Sequence, residues 1–316
     1  MKRTLVSGIL TIVGAMSLVA YAQSQAAPDK VVQIQYMPGL SNSKKLADPL
    51  KATYSTLYLL HGGGGHTLTF ESDHGVVLIN TKAPGWGKAI IDKLDLITQE
   101  PVTTIINTHP DLEYTGGNSE FPGATTIVAH VNTKSAMAKM AAFQGANAKF
   151  LPNKTFTDTV SLFEARNRVD LFYFGAGHTN GDAVVVIPTY SAAYLGDLFP
   201  AKATPVIDTA HGGSAVALPD TLARALVALK AADIDYVVAG KTTPVRGTQV
   251  RVMSMNDLQE YVDFNRDFLA AAKDAMQAGK SVDEAAAALK MPEKYKAYGM
   301  EQAKANIQAI YNELRK

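Results

Sequence analysis

From Thr56 onward, short apolar runs rich in β-branched residues are broken by Gly, Asn and Asp and interleaved with stretches of helical period. The runs predict strands over 56–60, 66–71, 75–80, 103–107, 125–129, 156–162, 169–174, 182–187, 192–196 and 235–239. Helical spacing predicts helices over 85–98, 132–143 and 218–232, the last opened by Pro219 and Asp220, which suit a first turn. Early strands follow one another as hairpins, and later ones alternate with helices. A layered α/β sandwich fits this order better than a purely doubly wound sheet. After about residue 253 the pattern is helical throughout. Ser254 to Asp257 offer N-caps for a helix to about Ala278, and Gly279 stops it. Ser281-Val282-Asp283-Glu284 is a capping box for a short Ala-rich helix, and Pro292 is expected to open a last helix toward Lys316.

The N-terminus reads differently. Lys2 and Arg3 precede an uncharged stretch from Thr4 to Ala20, and Ala20-Tyr21-Ala22 has the small-x-small form of a signal cleavage site. The expected organisation is a secretory signal over 1–22, an irregular lead-in over 23–55, a layered α/β domain over 56–253, and a helical extension over 254–316 packed on that domain. Export to the periplasm or the medium follows, with no stable membrane anchor once the signal is removed. Thirty Lys+Arg stand against 29 Asp+Glu with no long run of either sign, so neither a nucleic-acid groove nor a polybasic anchor is expected. The absence of cysteine excludes disulfides, thiolate metal ligands and a thiol nucleophile.

Candidate chemistry collects at strand ends. Asn107-Thr108-His109-Pro110-Asp111-Leu112-Glu113-Tyr114 places four lone-pair side chains within six residues, ahead of the pair Gly116-Gly117. Such a run serves either a metal or acid/base site or a hydrogen-bonded turn. His178 lies in the glycine-rich turn Gly175-Ala176-Gly177-His178-Thr179-Asn180-Gly181-Asp182; Asp197 follows one apolar strand and Lys241 another. One sheet edge is thus fringed by His109, Asp111, Glu113, His178, Asp197 and Lys241. His61 and His66 flank Gly62–Gly65, which reads as a hairpin tip with the two histidines either facing solvent or touching substrate or metal. His211 is a candidate replacement ligand, His74 and His130 read as turn and core-edge residues, and Trp86 as a packing anchor.

In the order and context of these motifs the chain resembles the metallo-β-lactamase-fold proteins, from about Leu57 to Thr243. The resemblance implies an αββα four-layer sandwich and metal-dependent hydrolysis. His178 in Gly-His-Thr-x-Gly-Asp matches the family's isolated histidine ligand, and Asp197 in Gly-Asp-Leu-Phe its bridging aspartate. The chain also departs from the pattern: Asn80 stands where Asp is usual. In the His-x-His-x-Asp-His motif, Asp111, Glu113 and Tyr114 replace the last three ligands, and Lys241 replaces the final histidine.

The resemblance then implies one metal position formed by His109, Asp111, His178 and Asp197. Zn²⁺ suits this donor set, as do Fe²⁺ and Mn²⁺. A second position would keep only Glu113, Asp197 and the Tyr114 phenol, while the Lys241 ammonium brings charge where an ion would sit. On this reading a metal-activated water attacks a small-molecule substrate, with Glu113 as general base, Lys241 as electrostatic partner and Tyr114 the third member of the catalytic set. The alternative is a metal-free network of Asp111, Glu113 and Asp197 balanced by Lys241 and Arg246, in a non-catalytic ligand-binding or interaction protein.

Overall fold

A computed structural model describes residues 32–37, 57–242 and 250–315. Two sheets form its centre. The first runs in chain order through β1 (Gln33–Tyr36), β2 (Tyr58–His61), β3 (Thr67–Ser72), β4 (Gly75–Ile79), β5 (Val102–Ile106), β6 (Thr126–His130) and β7 (Lys154–Phe156). Its first four strands are antiparallel and the pairs from β4 to β7 parallel. The second contains β8 (Thr159–Leu162), β9 (Val169–Tyr173), β10 (Ala183–Ile187), β11 (Ala192–Tyr194), β12 (Tyr236–Val238) and β13 (Met253–Ser254), again in sequential spatial order.

Period-two alternation assigns the faces. Val77 and Ile79 of β4 turn toward Leu171, Val185 and Tyr194 of the opposite sheet, while Val76 and Leu78 pack outward on Ile90 and Leu94 of α1 (Gly87–Leu94). On the other side, Val184, Val186 and Val237 meet α4 (Leu218–Ala231), α5 (Met255–Gln277) and α7 (Ala303–Leu314) through Leu222, Leu226, Leu258, Phe264 and Ile307. These are the four layers of an αββα sandwich. The remaining helices are α2 (Leu112–Thr115), α3 (Val131–Met137) and α6 (Val282–Ala288).

The C-terminal helices therefore cover the outer face of the second sheet. Glu313 of α7 also accepts from the Ala215 amide at 2.8 Å and the Ser214 hydroxyl at 2.5 Å, anchoring the loop that precedes α4. Both predicted N-caps form as capping boxes, at Ser254 with Asp257 and at Ser281 with Glu284.

Four expectations are corrected. The lead-in contains a strand, β1, which pairs with β2 by backbone bonds that need no apolar run in the sequence. The apolar stretch 156–162 is two strands in different sheets, because the turn at Thr157 and Asp158 carries the chain between layers. The helix predicted over 132–143 ends at Met137 and gives way to 3₁₀ turns. Pro292 opens only a single 3₁₀ turn, and the last helix begins at Ala303. The signal segment 1–22, the lead-in apart from residues 32–37, and Arg246 lie outside the described residues. Among the described residues no helix is long and apolar enough to cross a membrane.

Candidate active site

Four loops at one edge of the sandwich bring the site together. Beyond β5, Asn107 pairs with Asn118 through their side chains, at 2.8 and 3.2 Å, and this clip sets the path of the His109 loop. Asp111 stands at the N-cap of α2 but makes no side-chain cap bond. The carboxylate that would ordinarily satisfy helix amides instead lies 3.2 Å from His178 Nε2. His178 sits in the turn between β9 and β10, where buried Asp182 accepts from the amide and hydroxyl of Thr179. Burial raises the Asp182 carboxyl to about 6 against those bonds and the charge of His178. Asp197 occupies a 3₁₀ turn after β11, and Lys241 follows β12. Gly240 has to be glycine, since a Cβ there would overlap Asp197 Oδ1.

One donor atom from each of His109, Asp111, His178 and Asp197 lies within 4.8 Å of the others. The imidazoles are oriented from behind. His178 Nδ1 donates to the Val206 carbonyl at 2.9 Å, and His109 Nδ1 is 2.8 Å from Thr108 Oγ1, so both Nε2 atoms are left for the cluster. His109 Nε2 is buried without a hydrogen-bond partner. Burial, reinforced by His178, holds the His109 imidazole neutral down to about 4. For His178 burial pulls the other way from its partners, and the Asp111 hydrogen bond with the charges of Asp182 and Asp197 raises its pKa well above the usual imidazole range. The same pair holds Asp111 below the usual carboxylate range despite burial. The orphaned Nε2 and the mixed imidazole and carboxylate donors fit one divalent cation.

The position for a second cation beside Asp197 is taken by the chain's own groups. The Tyr114 hydroxyl donates to Asp197 Oδ1, and Lys241 Nζ lies 3.4 Å from Asp197 Oδ2 and 2.6 Å from Glu113 Oε2. Lys241 also stands 5.4 Å from the Tyr114 ring centroid. Although burial disfavours the ammonium, Asp197 and Glu113 raise the Lys241 pKa, so it stays charged at neutral pH. Both Asp197 oxygens thus have donors from the chain itself where a bridging aspartate would meet a second ion.

All seven predicted site residues, His109, Asp111, Glu113, Tyr114, His178, Asp197 and Lys241, converge at this edge. His211 joins a different group with Asp111 and Asp208, bonding Asp208 Oδ2 through Nδ1 at 2.5 Å. The solvent-facing reading of His61 and His66 is overturned: both are buried, His66 with its Nε2 2.9 Å from Thr242 Oγ1. The glycine turn between them is folded down onto the rim, with Gly63 against Trp86, Gly64 against Glu113 and Gly65 against Tyr114. His130 caps α3, and His74 stacks on Phe163, as turn and core-edge residues. Sequence reasoning missed Thr108 and Tyr194, which with Asn80 form a buried network behind His109, and also Lys82. Asn80 was visible only as a departure from a motif.

The metallo-beta-lactamase superfamily model matches residues 61–241, and the chain belongs to that superfamily. A curated relative, the 2,4-dinitroanisole O-demethylase subunit alpha of Nocardioides sp. (strain JS1661), is 28% identical over 147 residues, 45% of this chain and 43% of the relative. The chain thus spans under half the length of that relative. Among solved structures, the stereoselective inverting sec-alkylsulfatase Pisa1 from Pseudomonas sp. superposes with a TM-score of 0.64 at 16% identity, covering 81% of this chain and 48% of that one. A metallo-beta-lactamase from Pontibacter korlensis gives a TM-score of 0.54 at 16% identity, covering 74% of this chain and 100% of that one. At these identities the two structures speak to the fold.

Proposed function

We propose that this superfamily member is an exported hydrolase of a small molecule that works with a single divalent cation. The observation that carries this reading is the buried, unpartnered His109 Nε2 among three other donor atoms within 4.8 Å. His109, Asp111, His178 and Asp197 would hold the cation, with Zn²⁺ the best match and Fe²⁺ or Mn²⁺ compatible. When bound, it supplies Lewis acidity and a water acidic enough to act as a nucleophile near neutral pH.

The chain's own residues do the rest. Lys241, charged and partly exposed, is placed to stabilise negative charge developing on a substrate oxygen. Its bond to Glu113 Oε2 leaves Oε1 to accept a proton as general base. Tyr114 holds Oδ1 of Asp197, so the carboxylate would meet the cation through Oδ2, which lies 3.4 Å from Lys241 Nζ. The names of the relatives direct the first screen to sulfate esters and aryl methyl ethers, beside carboxylic esters and lactones. Export rests on the segment of Lys2, Arg3 and the apolar stretch to Ala22; the mass of the protein recovered from periplasm tests it.

The ion pairs of Lys241 favour a second reading, a metal-free ligand-binding protein. Elemental analysis of protein purified without chelator or histidine tag, beside His178→Ala, separates the two. Roughly one equivalent of metal, lost in the variant, is expected. A protein that stays empty and unshifted in Tm after added Zn²⁺, Mn²⁺ or Fe²⁺ sinks the hydrolase reading.

A further inference from the structure

Lys82 follows β4 closely, and its side chain is fully buried, at 0% exposure. The amino group donates to the backbone carbonyl of Gly65 at 2.6 Å rather than to a carboxylate. Burying such a group is unfavourable, and an apolar side chain of similar volume would serve stability better. The turn that carries it is itself strained, with both Asn80 (φ 66°) and Lys82 (φ 64°) in the left-handed region.

Several rim segments of the site are tied to this turn. The Thr81 amide donates to the Tyr114 carbonyl at 2.7 Å, and the Gly117 amide to the Lys82 carbonyl at 2.9 Å. Through its side chain Lys82 holds Gly65, and the next amide, of His66, donates to the Gly240 carbonyl at 2.8 Å, one residue before Lys241. The glycine turn in turn presses on the site: a Cβ on Gly64 would lie 2.7 Å from Glu113 Oε1, and one on Gly65 would overlap the Tyr114 ring. Tyr114 carries the contact on to Asp197 Oδ1.

We propose that Lys82 is a positioning residue, whose amino group holds the glycine turn down on Glu113 and Tyr114 and, through the Tyr114 hydroxyl, fixes the carboxylate of Asp197. The tie stands on the contacts alone; its effect on a bound cation rests on the function proposed above. Neither neighbouring histidine can replace it. His66 Nε2 is already engaged with Thr242, and burial with the charge of Lys82 lowers the pKa of both His61 and His66.

The test uses the full chain, Lys82→Met, Tyr114→Phe and the double variant. In metal-free protein, amide hydrogen exchange at His66 and Thr81 is expected to speed up at least about tenfold in Lys82→Met, while β10 amides lose none of their protection. In the Co²⁺-loaded protein each single variant is expected to weaken Co²⁺ roughly 10–100-fold and shift its visible bands. The double variant should lose no more than Tyr114→Phe alone, since both act on one path. Unchanged exchange at His66 and Thr81 overturns the proposal, as do additive losses in the double variant or equal acceleration in β10. Should Lys82→Met fail to fold, Gly65→Ala presses on the Tyr114 ring with Lys82 intact, and unchanged Co²⁺ binding there overturns the path. A wild type whose exchange arm responds but which takes up no Co²⁺ keeps the tie and removes the metal reading instead.

Discussion

Cation binding at this site should release one proton, and the release has a magnitude. In the cation-free protein His178 donates its Nε2 proton to Asp111 at 3.2 Å, and the bond keeps the imidazole protonated above its ordinary pH range. A cation bound at Nε2 must displace that proton. His109 contributes none at neutral pH, since burial holds it neutral down to about 4, and Asp111 is already ionised. One proton per ion means that affinity rises tenfold per pH unit, or about 1.4 kcal/mol. Between about pH 6 and pH 8 the Zn²⁺ affinity should therefore tighten roughly 100-fold, about 2.7 kcal/mol. Chelator competition at several pH values gives the slope, and calorimetry in two buffers of different ionisation heat counts the protons directly. In Asp111→Asn, His178 loses the bond that raises its pKa, so the slope between pH 7 and 8 should flatten as the affinity drops. A wild type that binds Zn²⁺ with no proton released would refute the assignment of His178 Nε2 as a ligand.

Restoring histidines in Lys241→His with Tyr114→His should raise bound zinc from about one equivalent to about two by elemental analysis, because both chain-supplied donors to Asp197 are removed; a stoichiometry fixed at one contradicts the plugged second position. Lys82→Met should be more stable than wild type at acid and neutral pH and converge with it in alkali. Burial lowers the folded pKa of Lys82 to about 7, against the opposing charge of Glu113, from 10.5 in the unfolded chain. The unfolded state thus holds the extra proton between those values, and wild-type stability rises with pH across that window by at most roughly 5 kcal/mol. Denaturant melts at pH 6 and 10 check this, and an advantage that grows with pH rejects it. Ser254→Ala should cost about 1 kcal/mol by removing the cap from α5 while leaving cation affinity unchanged.

What could be read from the chain divides along physical lines. Short apolar runs placed β3, β4, β9 and β10 within a residue or so; β4 and β10 are buried along their whole length, so nearly every position in them is apolar and constrained by packing. The pattern was silent on β1, an edge strand whose pairing with β2 is carried by main-chain groups that every sequence possesses. The site divides in the same way. His109, Asp111, His178 and Asp197 were visible because ligand chemistry needs particular side chains at strand ends. The pairing of Lys241 with Glu113 and with Asp197, the latter 44 residues away with no local signature, was legible only through the resemblance, and the bond of the Tyr114 hydroxyl to Asp197 appeared only in the fold. Lys82 shows the limit most clearly. Nothing in the sequence sets Lys82 apart from the lysines that ordinarily lie at the surface. Its burial follows from the left-handed backbone at residues 80 and 82 and from four glycines that let another loop descend onto it. Such a position is set by two segments at once, and neither one alone specifies it.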